Sequence, residues 1–134
     1  MAPLTILLVE DEPLLRRAFR TLLEACGYRT LEAGTAGEAL ARVADEVPGL
    51  ILVDLGLPDR DGLDLVRELR ARADTRRVPV VALSGRGGAD TARACADAGC
   101  TDHLVKPVAP RDLVRRIPAW LERPATGAPA ETPA

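Results

Sequence analysis

The sequence predicts an α/β protein in which five βα units build one parallel sheet, doubly wound so that helices cover both of its faces. Short aliphatic or β-branched runs alternate with amphipathic stretches of ten or more residues, five times over. Three of the five runs are apolar throughout, the pattern of strands buried on both sides. A chain of 134 residues suits a single domain with a single core.

The first strand is Thr5 to Val9. Pro13 then stands at a helix start, and Leu14, Leu15, Ala18, Phe19, Leu22 and Leu23 recur at helical spacing opposite Arg16, Arg17, Arg20 and Glu24. Gly27 ends that helix. A second strand follows over Tyr28 to Ala33 and a second helix over Thr35 to Asp45. The third strand is Leu50 to Asp54, the third helix Leu63 to Ala73, and the fourth strand Val78 to Leu83. A fourth helix over Ala89 to Ala98 stops before Gly99, and Asp102 to Val105 form the last strand. The fifth helix starts at Pro110. Inside it Pro118 removes a backbone donor and crowds the preceding turn, so a kink or stop is expected there. Beyond Arg123 no large apolar residue remains, and the Pro/Ala-rich segment 124–134 is expected to be a flexible tail.

Composition excludes several classes. The 18 basic and 20 acidic residues give a net charge of −2 and are dispersed, so nothing invites direct contact with nucleic acid. The apolar opening Leu4 to Val9 ends at Glu10, far short of the roughly 20 residues that span a bilayer. It also lacks the basic flank of a secretory signal. Three cysteines, an odd number, fit reduced thiols, and a cytoplasmic location away from the membrane is expected.

Open parallel sheets bind ligands outside the carboxyl ends of their strands. Those ends carry Glu10-Asp11, Asp54, Ser84 and Lys106-Pro107, and Lys106 is the only lysine in the chain. Three carboxylates drawn together repel one another unless a cation neutralises them. Hard oxygen ligands with coordination left open suit Mg²⁺, which keeps waters and shares phosphate oxygens. Such a site calls for a phosphoryl group. Asp54 would be its nucleophile, with Ser84 and Lys106 holding the other oxygens in catalytic roles.

Four pieces then stand in order: Leu7-Leu8-Val9-Glu10-Asp11-Glu12, Val53-Asp54-Leu55-Gly56-Leu57-Pro58-Asp59-Arg60-Asp61-Gly62, Leu83-Ser84-Gly85, and Leu104-Val105-Lys106-Pro107. In them the chain resembles the receiver domains of two-component response regulators, over roughly residues 3–122. The resemblance implies a flavodoxin-like, CheY-like fold with strand order 2-1-3-4-5, and a receiver domain spanning 1–123. It implies that Asp54 accepts a phosphoryl group from a histidine kinase or histidine phosphotransfer protein. Glu10, Asp11, Asp54 and the Gly56 carbonyl would arrange Mg²⁺, and the phosphorylated form would change its binding to a downstream protein target. Where the family carries the Tyr or Phe of its activation switch, three residues before the lysine, this chain has His103. Ser84 and His103 are thus the candidate switch residues. A DNA-binding domain often follows a receiver, and here only the Pro/Ala segment does, so a stand-alone phosphoacceptor is expected and its output must come from elsewhere.

Other signals point less far. Asp59, Asp61, Gly62 and Glu68 match positions 3, 5, 6 and 12 of a calcium loop, but position 1 would be Leu57, and a solvated turn accounts for them better. Gly85, Gly87 and Gly88 lack the third glycine of a dinucleotide loop and read as a flexible loop beside the phosphoryl site. Cys95, Cys100 and His103 fall short of the four ligands of structural zinc and read as buried thiols and a strand residue. Phe19, Tyr28 and Trp120 read as packing residues. A phosphoaspartyl hydrolase would carry a second aspartate at position 56, which is glycine, and a receiver segment of a hybrid kinase is the nearer alternative.

Overall fold

The structure, a computed structural model, describes residues 3–123. The tail expected over 124–134 lies outside the described residues. Five strands, β1 (Thr5–Val9), β2 (Arg29–Ala33), β3 (Leu50–Asp54), β4 (Val80–Ser84) and β5 (Asp102–Val105), alternate with α1 (Pro13–Ala25), α2 (Ala36–Asp45), α3 (Gly62–Ala71), α4 (Ala89–Ala98) and α5 (Pro110–Leu121). All strand pairs are parallel, in the order β2-β1-β3-β4-β5. The expected order and the doubly wound architecture are both present.

Side chains alternate across the sheet, and the alternation divides the core in two. Leu7, Val9, Ile51, Val53, Val80 and Ala82 face one layer, where α2, α3 and α4 contribute Ala39, Val43, Leu65, Leu69 and Cys95. Ile6, Leu8, Leu50, Leu52, Val81 and Leu83 face the other, closed by Phe19 and Leu23 of α1 and Leu113, Ile117 and Trp120 of α5. Every residue of β3 and β4 is buried, so the central strands carry no solvated face.

Boundaries shift where local hydrogen bonds claim a residue first. Tyr28 belongs to the end of α1: Gly27 sits at φ +94, its N–H reaches the Glu24 carbonyl, and the Tyr28 N–H reaches the Leu23 carbonyl. That paired closure needs the left-handed conformation glycine adopts freely. Val78 is held in a turn by its N–H to the Thr75 carbonyl, and β4 starts two residues late and runs on to Ser84. Helix α3 stops at Ala71, ahead of the expected Ala73, because the Arg72 backbone is already extended.

Of the kink or stop expected at Pro118, the stop does not occur there, and α5 runs on to Leu121. Pro118 lies on the exposed side of the helix, where water can take the carbonyl that loses its partner. Trp120 carries the helix one turn further, because its ring is buried and its Nε1–H donates to Asp102 Oδ2 at 2.8 Å. Among the helices, α4 is the most lightly attached. It buries only Cys95 and Ala98, and its N-cap, Gly88, offers no side-chain hydrogen bond.

Gly62, the first residue of α3, packs on the backbone behind the end of β3. A Cβ there would lie 2.6 Å from the Leu55 Cα and 2.8 Å from the Asp54 carbonyl oxygen. Neither atom can rotate away, so Gly62→Ala should cost about 1–3 kcal/mol. Urea denaturation of the two proteins should show that loss as a lower midpoint at unchanged slope.

Candidate functional site

The carboxyl ends of β1, β3 and β4, with the turn after β5, bring the polar residues together. Glu10 follows β1 and is fully buried. Its Oε2 accepts the Glu12 N–H at 3.1 Å, and its carbonyl accepts from Arg16 Nη1 at 2.8 Å. Asp11, next along, is exposed. Asp54 is the last residue of β3, 5% exposed, and its Oδ1 accepts the Gly56 N–H at 3.1 Å. One carboxylate oxygen from each of Glu10, Asp11 and Asp54 lies within 4.8 Å of the others. Lys106 reaches in from the end of β5, its Nζ 3.2 Å from Glu10 Oε1 and 3.2 Å from Asp54 Oδ1. The Lys106 N–H donates to the Ser84 carbonyl at 2.7 Å, which fixes where that side chain starts.

The electrostatics follow from this crowding. Burial raises the Glu10 pKa above its ordinary value, the Glu12 N–H opposes the rise, Asp54 adds to it, and Lys106 opposes it. Burial also disfavours the Lys106 charge, but attraction to Glu10 and Asp54 outweighs that and lifts its pKa. The pocket is short of positive charge, with one ammonium for three carboxylates. Three oxygen donors within reach of one ion are the hard ligand set that Mg²⁺ takes with several waters retained, so the residues present fit it.

Ser84 is 5% exposed, and its Oγ is turned to its own loop, accepting from the Arg86 N–H and donating to the Arg86 carbonyl at 2.9 Å each. His103 is half-buried on β5 and lines a groove with Ala92, Cys95 and Ala96 of α4. Its Nε2 is buried without a hydrogen-bond partner. The structure thus gathers Glu10, Asp11, Asp54 and Lys106, with Gly56 beside Asp54. The Ser84 hydroxyl is bonded within its own loop, and the His103 ring lies along α4.

The signals set aside in the sequence find structural explanations. Asp61 caps α3 through the Leu63 N–H at 2.9 Å, and Asp59 caps α2 from a distance, accepting the Ala36 N–H at 2.9 Å and the Gly37 N–H at 3.0 Å. Gly88 takes φ +102 at the start of α4. Cys95 and Cys100 are buried free thiols, and burial pushes Cys100 up to about 12. Among the described residues, the acidic trio is the group arranged for a metal.

Two participants were not legible in the sequence. Arg16 joins the Glu10 carbonyl to Glu32 Oε1, which it meets at 3.0 Å, and so ties the loop after β1 to β2. Asp59 ties the loop after β3 to α2. Long-range partners of this kind have no periodic signature.

Three carboxylates at the carboxyl edge of a doubly wound parallel sheet, with a lysine reaching in from the turn after β5, match the receiver-domain resemblance read from the sequence. The chain belongs to the response regulator receiver domain family, whose profile matches residues 6–118. It is 43% identical over 125 residues to the KDP operon transcriptional regulatory protein KdpE of Escherichia coli, a match covering 92% of this chain and 54% of that protein. It is 37% identical over 123 residues to the phosphate regulon transcriptional regulatory protein PhoB of Pseudomonas aeruginosa, with 92% and 54% covered. The chain therefore spans about half the length of these curated relatives. Among solved structures, it superposes with a TM-score of 0.84 and 30% identity on a putative response regulator from Chloroflexus aurantiacus, with 90% and 99% of the chains covered. With a TM-score of 0.82 and 33% identity it matches the receiver domain of a sensor histidine kinase from Pseudomonas aeruginosa, with 91% and 100% covered. That kinase receiver was solved with a magnesium ion coordinated in its active-site cleft.

Because the Glu10 pKa is raised, the folded state binds a proton more tightly than the unfolded chain, and this group lowers stability as pH rises through and above its unfolded value of 4.5. Glu10→Gln removes that charge. The metal-free variant should be more stable than the metal-free parent at pH 7, and its advantage should shrink as pH falls toward 4.5. Paired thermal melts across that range, in chelator, measure the difference.

Proposed function

We propose that this receiver is a Mg²⁺-dependent phosphoacceptor of a two-component system, with Asp54 as the phosphorylated residue. The observation that carries the reading is the Lys106 Nζ poised 3.2 Å from both Asp54 and Glu10 inside a three-carboxylate cluster. Glu10, Asp11, Asp54 and the Gly56 carbonyl are the residues that would hold the ion, whose chemistry is to neutralise charge on the phosphoryl oxygens. An Asp54 carboxylate oxygen forms the bond to phosphorus as the bond from phosphorus to the donor imidazole nitrogen breaks, and that nitrogen keeps the electron pair. Lys106 then exchanges part of its pairing with Asp54 for a phosphoryl oxygen. The Ser84 hydroxyl leaves the Arg86 carbonyl to donate to another.

The donor is a histidine kinase or a histidine phosphotransfer protein, and the product acts by changing which protein it binds. The chain is a signalling phosphoacceptor rather than a turnover enzyme; a hydrolase of this chemistry needs a general acid where Gly56 stands. KdpE and PhoB are transcriptional regulatory proteins, and this chain spans about half of each. Any effect on transcription therefore runs through another domain or a partner, and the described receiver does not itself contact nucleic acid. Among the described residues no helix is long and apolar enough to cross a membrane, and the proposed site of action is the cytoplasm. The kinase receiver among the structural matches favours one second reading, a receiver segment within a hybrid kinase.

Acetyl phosphate with Mg²⁺ should add a single phosphoryl group, detected by intact mass. The label should be absent from Asp54→Asn and should depend on metal; an acid-stable label retained on that variant would place the chemistry elsewhere. Beryllofluoride should shift backbone amides from residue 84 through α5, including His103, as well as those around Asp11 and Asp54. Changes confined to the acid loops would exclude the face of α4, β5 and α5 as the output surface.

A further inference from the structure

We infer that Asp59 is a positioning residue for the metal site, acting through the β3–α3 loop, an inference that rests on the phosphoacceptor reading above. The loop that leaves Asp54 carries Gly56, the proposed carbonyl ligand, and then runs exposed over residues 58–61 before α3 begins. An exposed loop of this length does not hold one backbone carbonyl in place by itself.

Three fixed points hold it. Leu57 is buried in the core. Gly62 is packed on the Leu55 and Asp54 backbone, and its N–H donates to the Leu55 carbonyl at 3.1 Å. Between them Asp59 reaches across 23 residues of sequence to the first turn of α2, with one carboxylate oxygen on the Ala36 N–H and the other on the Gly37 N–H. Both donors are among the orphan N–H groups of a helix start, and the anion meets the positive end of the helix dipole. These two bonds, with the Ala36 contact first, hold the Asp59 carboxyl below its ordinary pKa.

Helix α2 also carries a cap from its own segment, independent of Asp59. Thr35 Oγ1 already accepts the Glu38 N–H at 3.0 Å, and Glu38 Oε1 accepts the Gly34 N–H at 2.7 Å. Those two bonds satisfy the third helical N–H and the N–H that precedes the cap, and the first two helical N–H groups are taken by Asp59. The Asp59 bonds thus satisfy the first turn of α2 and at the same time tie the β3–α3 loop to it, with the Thr35 cap holding that turn from its own side. On the other side of the pocket, the loop after β1 is tied to β2 by Arg16 between the Glu10 carbonyl and Glu32. The β2–α2 segment thus anchors both loops whose relative placement defines the ion site.

Supporting partners of metal ligands typically alter affinity by about 10–100-fold when removed. Asp59 acts at one remove from its ligand, so the lower figure applies. Calorimetric titration with Mg²⁺ alone should give Asp59→Asn a dissociation constant about tenfold weaker than the parent. The control is Thr35→Ala, which removes the cap of α2 itself while leaving the loop tie intact. It should lower the thermal midpoint of the metal-free protein and leave the Mg²⁺ dissociation constant unchanged. In the parent, Mg²⁺ should also shift the Ala36 and Gly37 amide resonances, and that response should vanish in Asp59→Asn. A parent that binds Mg²⁺ together with an Asp59→Asn variant of equal affinity overturns the positioning role and leaves the acid pocket standing. So does a Thr35→Ala variant that weakens Mg²⁺ as much as Asp59→Asn does. A parent that takes up no Mg²⁺ overturns the acid pocket, and the role of Asp59 with it.

Discussion

Two carboxylates at the ends of adjacent buried strands repel each other unless something positive stands between them, and here that is the Lys106 ammonium. Glu10 is fully buried and Asp54 nearly so, each at the point where an apolar strand stops. Without the ammonium, both acids would face each other with no counterion between them. The strand on which Lys106 follows must therefore arrive at the correct edge and depth, and β5 does so through its register with β4 and the Lys106 N–H on the Ser84 carbonyl. The sheet order brings β1 and β3 side by side with β4 and β5 beyond them, so the lysine crosses toward the acids from one flank. Charge placement and topology are one constraint seen from two ends.

The same arrangement explains how a stable fold can hold an acid pocket that resists being fully charged. The apolar strand interiors supply the favourable term: a fully buried Leu or Ile contributes roughly 1.5–3 kcal/mol, and β1, β3 and β4 hold most of the large ones. The strand ends can then bear the cost of Glu10, whose pKa is raised by its burial. Stability comes from the middle of the sheet and chemistry from its carboxyl edge, with little overlap between the two sets of residues.

Much of this was readable before any coordinates, for physical reasons. Alternation of apolar runs with amphipathic ones reports burial on two length scales, so every strand and helix was placed to within two residues at most ends. The strand-end residues Glu10, Asp11, Asp54, Ser84 and Lys106 stood out because an apolar run that stops at a charged or hydroxyl residue marks a sheet edge. Pro118 misled because a missing N–H is costly only where water cannot replace it, and the sequence does not announce which side of a helix is exposed. Arg16 and Asp59 escaped because their partners lie on other elements. No local pattern encodes a carboxylate that accepts from amides 23 and 22 residues away. The state of Ser84, turned to Arg86, is likewise a matter of rotamer rather than of residue type.

The light attachment of α4 gives the molecule an uneven stiffness. On the opposite layer α1 and α5 are pinned by Phe19, Leu23, Ile117 and Trp120, whereas α4 is held by a thiol and a methyl group and begins at a glycine without a side-chain cap. Displacing a helix requires uncovering what it buries, and cooperative units with little buried apolar area open first. Helix α4 therefore buries the least of the five helices, and it lies against the strand that bears His103 and begins just beyond the loop that holds Ser84. Among the five helices α4 thus has the least apolar surface to uncover, and the size of two side chains sets that limit.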